Sequence, residues 1–218
     1  MAENLQLMLD DILKQEEGRR PRLLLHSCCG PCSSYVLEYL APHFDITVDY
    51  YNPNIDTAAE YAHRAAEQAR LVEAMGLSQQ VEVRAFPYQP KAFFEAIHGL
   101  EDTGEGGRRC LACYRLRLAH AARLAKAEGF DYFTTTLSIS PHKNAAWLAD
   151  VGREMEAETG VRWLPSDFKK RGGFLRSTQL SRQYGMYRQD YCGCIFSKQE
   201  GEARAAKRAA QEAGEAGG

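Results

Sequence analysis

The chain has 218 residues, of which 44% are hydrophobic and 26% charged, and its formal net charge is −2. This length and composition are typical of one soluble globular domain, and they exclude a polycation that binds nucleic acid over its whole surface. No apolar stretch reaches the roughly 18–20 residues of a membrane span, and the acidic, amphipathic N-terminus differs from a signal peptide. We therefore expect a cytoplasmic protein whose cysteines serve metal or redox chemistry rather than structural disulfides.

Hydrophobic periodicity alternates between helix and strand along the chain. Helical spacing occupies residues 4–15, 33–40, 57–76, 91–100, 110–129 and 144–160. Strand-like segments occupy residues 22–26, 44–53, 81–87, 130–139 and 161–164. Strands that alternate with helices of this length predict a single α/β domain, in which helices flank a mainly parallel sheet.

The pattern weakens after the last predicted strand. Residues 165–191 show no clear core pattern, so we predict an irregular segment that leads into the last cysteines. The glycine-rich residues 101–107 predict a mobile loop. We divide the chain into an N-terminal helix (1–20), a catalytic α/β domain (21–197) and a tail (198–218). The tail is Ala-rich and charged, and we expect an exposed, dispensable helix that frays into glycine.

All seven cysteines fall into three groups, which argues against small buried hydrophobes scattered through a core. The groups are Cys28, Cys29 and Cys32; Cys110 and Cys113; and Cys192 and Cys194. The first group follows a strand and precedes a helix N-terminus, where free N–H groups favour anionic sulfur. A C-x2-C pair, such as the second group, can chelate zinc, ligate an iron–sulfur cluster or act as a redox dithiol.

A single tetrathiolate site uses only four of these sulfurs. Four sulfurs come from two cysteines of the first group together with Cys110 and Cys113. Three sulfurs then remain, those of Cys32 and of the last pair. A cluster together with a second redox element accounts for all seven. Gly193 frees the backbone between the last two cysteines, so that pair either closes a small, readily reduced disulfide or binds the same metal. A separate metal ion held with Cys32 is a further alternative.

A basic segment rich in aromatic residues precedes the last cysteine pair. Residues 168–189 contain six lysines and arginines and no acidic residue. Basic side chains bind phosphates and flat rings stack on unpaired bases, so this segment predicts an RNA-binding surface. An ordinary solvated surface is the alternative. The predicted RNA-binding residues are Lys169, Lys170, Arg171, Arg176, Arg182 and Arg188, with the interleaved rings of Phe168, Phe174, Tyr184 and Tyr187.

Two further segments follow predicted strands and should reach the same edge of the sheet as the first cysteine group. The first, "TTTLSISPHKN" (134–144), brings hydroxyl groups, His142 and Lys143 to this edge. A lone histidine is also common as a structural residue. The second, "YYNPNID" (50–56), is equally consistent with simple turn chemistry.

Together these motifs resemble the cobalamin-independent epoxyqueuosine reductase family, QueH. The resemblance rests on "LLLHSCCGPCSS", "YYNPNI" with "EYAHR", "RRCLACYRLRL", "GFDYFTTTLSISPHKN" and "LSRQYGMYRQDYCGCIFS", in order over residues 22–197. It implies reduction of the epoxide on the modified wobble base of tRNA to a cyclopentene, the last step of queuosine synthesis. The partners would be tRNA carrying epoxyqueuosine and an unidentified electron donor. The implied fold is similar to nucleotide-binding (HUP, Rossmann-like) α/β domains, with "SCCGPC" in place of a phosphate loop and ATP use lost.

The resemblance also implies the roles of individual residues. It implies a 4Fe-4S cluster held by Cys28, Cys29, Cys110 and Cys113, with Cys192 and Cys194 as a redox-active pair. It further implies a mononuclear metal, a possible second iron, for which Cys32, Cys192 and Cys194 are candidate ligands. The departing oxygen needs a Lewis acid or a proton, and His142, Asp190 and Tyr191 are candidate donors.

Other functions remain open from the sequence. An ATP-dependent tRNA sulfur-transferase needs a phosphate loop, which the sequence lacks. A zinc-stabilised RNA-binding module predicts a colourless zinc protein that tolerates changes at Cys192 and Cys194. A thioredoxin-like oxidoreductase fits less well, because its C-x2-C motif should follow a first β-strand.

Overall fold

The computed structural model describes residues 3–215, with side chains through residue 211. Within this range five parallel strands form one sheet in the order β3-β2-β1-β4-β5. The strands are β1 (Arg22–His26), β2 (Asp45–Tyr50), β3 (Val81–Ala85), β4 (Tyr132–Thr135) and β5 (Arg162–Trp163). The helices are α1 (Leu5–Gln15), α2 (Gly30–Leu40), α3 (Ala58–Ala74), α4 (Pro90–Ala96), α5 (Arg108–Glu128), α6 (Ala145–Thr159), α7 (Gly173–Gln183) and α8 (Ile195–Glu215). The predicted α/β class and parallel sheet are confirmed.

Helices cover both faces of the sheet, and the central strand β1 is apolar on both sides. Leu23 and Leu25 pack in the layer that contains α2, whereas Leu24 packs in the layer that contains α5 and α6. Burial on both faces explains why a parallel strand is a continuous apolar run. Because β2 and β4 flank β1, the loops that follow these three strands meet at one edge of the sheet. Ligands of open α/β sheets bind at this edge.

The strand predicted over residues 130–139 is shorter in the structure. Strand β4 ends at Thr135, and a 3₁₀ turn follows at Thr136–Ile139. The Thr135 hydroxyl oxygen accepts a hydrogen bond of 3.1 Å from the Leu137 amide. Such local bonds offer the backbone an alternative to the sheet. Leu137 and Ile139 are nevertheless buried, which explains why the whole segment has the composition of a strand.

The prediction of an irregular segment over residues 165–191 was wrong for α7. This helix packs against α2, and Gly173 lies so close that a Cβ atom there would be 2.5 Å from the Tyr35 ring. Its buried face consists mainly of Leu180 and the small residues Ser177 and Ser181. A face with so few apolar side chains gives no hydrophobic periodicity, so the sequence pattern could not reveal the helix.

Through residue 215 the tail is helical as predicted, but its helix begins earlier than expected. Helix α8 starts at Ile195 and is continuous across residue 198, where we placed the start of the tail. Residues 202–211 are exposed, as expected. The glycine-rich end, residues 216–218, lies outside the described residues. Across residues 3–215, no helix has the length and apolarity needed to cross a membrane.

Two helical glycines should respond in opposite ways to alanine. A Cβ atom at Gly152 in α6 would lie 2.2 Å from the Trp163 ring, so Gly152→Ala should destabilise the protein by about 1–3 kcal/mol. Gly201 in α8 has only the end of a flexible arginine at 4.0 Å. Gly201→Ala should therefore stabilise by about 0.5–1 kcal/mol. Urea unfolding of both variants in the same metal state measures the change in the free energy of unfolding. Equal changes in the two variants would contradict the close contact between Gly152 and Trp163.

Candidate functional site

Three thiols gather where β1 ends and α2 begins. The sulfurs of Cys28, Cys29 and Cys32 lie within 4.8 Å of one another. The Cys28 and Cys29 sulfurs are 3.8 Å apart. The Cys28 amide donates to the Thr136 hydroxyl at 3.3 Å, which ties this loop to the turn after β4. The predicted meeting of these two segments at one sheet edge is thus confirmed.

The three sulfurs cannot all carry a negative charge unaided. Because Cys28 and Cys32 donate hydrogen bonds to its sulfur, the pKa of Cys29 is lowered well below its ordinary value. The pKa of Cys32 is raised well above it, because its thiol donates to the other two sulfurs and burial opposes a further charge. A metal ion would remove this conflict, since thiolates are soft metal ligands. This group of cysteines could therefore bind a metal.

The other four cysteines line a second, small cavity. Cys110 and Cys113 lie in the first two turns of α5, and Cys192 and Cys194 lie just before and at the start of α8. All four line a space of about 20 Å³, which also contacts Tyr114. Burial is the main reason that the pKa of Cys113 is raised to about 12, so this thiol stays protonated unless a cation binds it. All seven cysteines are free thiols, including the predicted disulfide pair.

A larger cavity of about 570 Å³ opens beside the first thiol group. Its wall includes all three candidate proton donors, His142, Asp190 and Tyr191. Among the seven cysteines, Cys192 alone lines both this cavity and the small one. A volume of this size accommodates a small organic group such as one modified nucleoside. Cys192 therefore lies between the space for a substrate and the deeper thiols.

Two cations lie beside the sulfurs, of which Arg117 is buried and Lys143 is partly buried. The Arg117 side chain, from α5, is 1% exposed, and its Nη2 has no partner among the described residues. Burial by itself opposes the Arg117 charge, but the nearby sulfurs of Cys113 and Cys192 outweigh it and raise the pKa. Lys143 places its Nζ 3.1 Å from the Cys192 sulfur. Burial opposes the Lys143 charge too, but the Cys192 sulfur raises its pKa overall.

Helix α3 holds the segment that carries Cys192. Arg64 pairs with Glu60 at 2.7 Å and lies over the Tyr191 ring at 5.1 Å. Its Nη1 reaches the Cys192 carbonyl oxygen at 3.5 Å. The Asp56 amide donates to the Gly193 carbonyl at 2.8 Å from the other side. Residues 184–194 form neither helix nor strand, so these contacts fix the position of the last two cysteines.

The structure distributes the predicted RNA-binding residues unevenly. Arg188 lines the large cavity, as does the ring of Phe174. Three of the other residues pair with nearby carboxylates at 2.6 Å: Lys169 with Asp167, Arg171 with Asp10 and Arg176 with Glu38. Phe168 is buried in the core and therefore cannot stack on a base. The RNA-binding role of all six predicted lysines and arginines stays a prediction.

The sequence analysis missed several residues that shape this site. Arg117 and Arg64 lie inside helices with ordinary helical spacing, so nothing in the pattern marks them as buried. Asn52, in "YYNPNID", is buried and donates to the Ser27 carbonyl oxygen at 2.7 Å. Its amide oxygen lies 3.5 Å from Arg117 Nη1. This segment thus supports the site, and a simple turn does not account for it.

Gly193 should be essential for the geometry of the last two cysteines. Its φ of +127° is unfavourable for other residues, and a Cβ atom would lie 3.1 Å from Arg64 Nη1. Gly193→Ala should therefore loosen the loop and increase alkylation of the buried Cys194 several-fold, as measured by mass spectrometry. Gly185→Ala is the matched control, because Gly185 also has a positive φ but nothing lies within 4 Å. Equal labelling in the two variants would contradict this role.

Comparisons with known proteins agree with the resemblance. The family model described as "Epoxyqueuosine reductase QueH" matches residues 23–200. A protein of that name from Staphylococcus epidermidis is 40% identical over 187 residues, which cover 84% of this chain and 79% of the relative. One from Streptococcus pyogenes is 39% identical, covering 90% and 80%. One from Thermotoga maritima is 32% identical, covering 80% and 89%. With the family model spanning most of the chain and relatives this similar, the chain belongs to the epoxyqueuosine reductase QueH family.

Proposed function

We propose that this protein is an epoxyqueuosine reductase that converts epoxyqueuosine to queuosine at the wobble position of tRNA. The observation that carries the proposal is the cavity of about 570 Å³ lined by thiols at the carboxyl edge of the sheet. It lies in a chain of the reductase family. The cavity combines sulfur with candidate proton donors, and a reductive deoxygenation needs both electrons and protons.

We propose that Cys28, Cys29, Cys110 and Cys113 hold a 4Fe-4S cluster. The donor set fits, because iron–sulfur clusters are bound by cysteine thiolates. Cys28 and Cys110 pack against the same apolar cluster of side chains, so the first two thiol groups border one part of the core, which supports a shared site. Arg117 supplies buried positive charge beside them, which offsets the negative charge of thiolate ligands. When bound, such a cluster supplies electrons one at a time.

Cys192 and Cys194 are proposed as the source of an electron pair. Opening an epoxide to an alkene breaks two C–O bonds, forms a C=C bond and releases water, which requires two electrons and two protons. Oxidation of two thiols to a disulfide releases two electrons and two protons, so the reaction balances. Lys143 stabilises negative charge on the Cys192 sulfur, because its ammonium group lies 3.1 Å away. Cys32 is the candidate ligand for a second iron, because it lies beside Cys28 and Cys29.

The sulfur-transferase alternative lacks a site for ATP phosphates at the expected place. Ser27 in the loop after β1 and Ser33 in the first turn of α2 stand at this place, but both are fully buried. The Ser27 and Ser33 hydroxyl oxygens lie 2.6 Å apart, and they lie 2.7 and 2.8 Å from the Gln68 amide oxygen. Hydroxyls that are used in this way are not available to a phosphate. The reductase reading is therefore the better account of this edge.

Two cysteine variants separate the proposed cluster from the proposed redox pair. Cys110→Ser should lose iron and sulfide, whereas Cys192→Ser should retain both and lose turnover of epoxyqueuosine in tRNA. Iron and sulfide analysis of protein purified without oxygen, with the absorption spectrum, measures the first effect. We expect about four irons and four sulfides per chain in the unmodified protein, and additional iron would support the second site. Zinc without sulfide would favour an RNA-binding module, and normal turnover by Cys192→Ser would reject the redox role.

Lys143 should affect turnover without affecting cofactor content. Lys143→Met removes the charge beside Cys192 at similar side-chain length, and we expect turnover to fall about 10–100-fold. Lys143→Arg keeps the charge and should retain an intermediate rate. Single-turnover assays with tRNA, together with iron analysis, make the comparison. A fully active Lys143→Met variant would show that this ammonium group is not needed.

A further inference from the structure

The large cavity has two wall residues that the chemistry described so far does not use. Arg204 and Arg208 both line it, and both belong to α8. They are four residues apart, so they lie on the same side of the helix. The match to the family model ends at residue 200, so both arginines lie beyond it.

The start of α8 is anchored, which fixes where these arginines lie. Arg109, whose side chain is 3% exposed, pairs with Glu200 at 2.6 Å. The other oxygen of Glu200 accepts a hydrogen bond of 2.9 Å from the Glu105 amide. The Arg109 guanidinium also lies 4.5 Å from the centre of the Phe196 ring. Because the Arg109 guanidinium is buried, the loss of its carboxylate partner would be costly, so the first turns of α8 keep a defined position beside the cavity.

Beyond this anchor α8 has no core of its own. Residues 202–211 are exposed, so the two arginines contribute nothing to packing. Arg204 pairs with Glu105 at 3.3 Å and approaches Glu200 at 4.0 Å. Pairs between solvent-exposed side chains contribute little to stability. Across the part of the chain whose side chains are described, Arg208 has no recorded hydrogen bond or ion pair.

The charge around the cavity is opposite in sign to that of the whole chain. Four permanently charged cations line it, against two carboxylates, whereas the chain has a formal net charge of −2. The cations are Lys143, Arg188, Arg204 and Arg208, and the carboxylates are Glu105 and Asp190. Positive charge concentrated at the opening of a cavity attracts polyanions. The planar guanidinium group binds phosphate through two parallel hydrogen bonds, which suits it to an RNA backbone.

We infer that Arg204 and Arg208 bind backbone phosphates of the RNA whose modified base enters the cavity. Helix α8 is then part of the substrate-binding surface, contrary to our expectation from composition that the tail is dispensable. Both arginines are positioning residues, because they act on the phosphates that flank the base and leave the reacting atoms untouched. The inference rests on the proposed function for the identity of the RNA.

The test compares full-length variants that each lose positive charge on α8. Arg204→Gln with Arg208→Gln removes both proposed contacts, and Lys207→Gln removes a neighbouring charge that does not line the cavity. We expect the Kd for substrate tRNA to rise about tenfold in the double variant at about 0.1 M salt. The slope of log K against log salt should become shallower by about 1.4–1.8 for two lost phosphate contacts. Lys207→Gln should change the Kd less than about twofold, because it makes no phosphate contact.

Kinetics separate positioning from chemistry. The double variant should show a raised KM for tRNA with an unchanged kcat, and unchanged turnover of the free epoxyqueuosine nucleoside, which has no flanking phosphates. Iron content and thermal unfolding should match the unmodified protein. Arg208→Gln alone is a further check, because the Arg208 side chain makes no hydrogen bond or ion pair with the described side chains. This variant should show part of the same loss of tRNA affinity.

Two results would overturn the inference. The first is an unchanged Kd in the double variant; if turnover with a protein reductant then slows while turnover with dithionite does not, the surface binds the electron donor instead. The second is an equal loss of tRNA affinity in Lys207→Gln, which would indicate general charge rather than contacts. A protein that binds tRNA but never reduces it would reject the proposed function instead, and the Kd comparison would still test the arginines.

Discussion

Buried sulfur and buried positive charge depend on each other in this protein. Cys113 and Cys194 are buried, and Arg117 lines the same small cavity without a carboxylate partner in the described residues. An unpaired guanidinium in a low-dielectric interior costs several kcal/mol, as do uncompensated thiolates. The two kinds of group therefore stabilise each other only if they lie close together. This requirement explains why the helix that presents Cys113 also carries Arg117, one turn further along.

The parallel sheet satisfies this requirement by bringing distant parts of the chain to one edge. The loops after β1, β2 and β4 supply thiols, buried amides and Lys143, respectively. The segment before α8 has no regular structure of its own, so charged side chains of α3 hold it in place. The last cysteine pair is thus positioned by side chains of α3 and by a backbone hydrogen bond from Asp56, whereas the first cysteine group is positioned by the backbone of the sheet.

The protein combines a family core with a helix that extends past it. The core carries every cysteine, the buried Arg117 and the partly buried Lys143. Helix α8 begins directly after Cys194 and continues along the wall of the large cavity, so one element connects the small cavity with Arg204 and Arg208. Because the anchor at Glu200 lies beside Arg109 at the start of α5, the helix is fixed to the same region that presents Cys110.

The sequence by itself determined the α/β class, the parallel sheet and the grouping of cysteines into motifs, because apolar periodicity and residue spacing are local properties. Motifs such as "LLLHSCCGPCSS" also sufficed to indicate the family. Only the tertiary structure decided that Arg117 and Arg64 are buried and that Phe168 belongs to the core. It also decided that α7 is a helix, because the face that this helix buries consists largely of serines. It also decided that Cys192 lies between two cavities and that α8 reaches the larger one. These outcomes depend on which elements pack together, and contacts between residues far apart in the chain leave no periodic signal in the sequence.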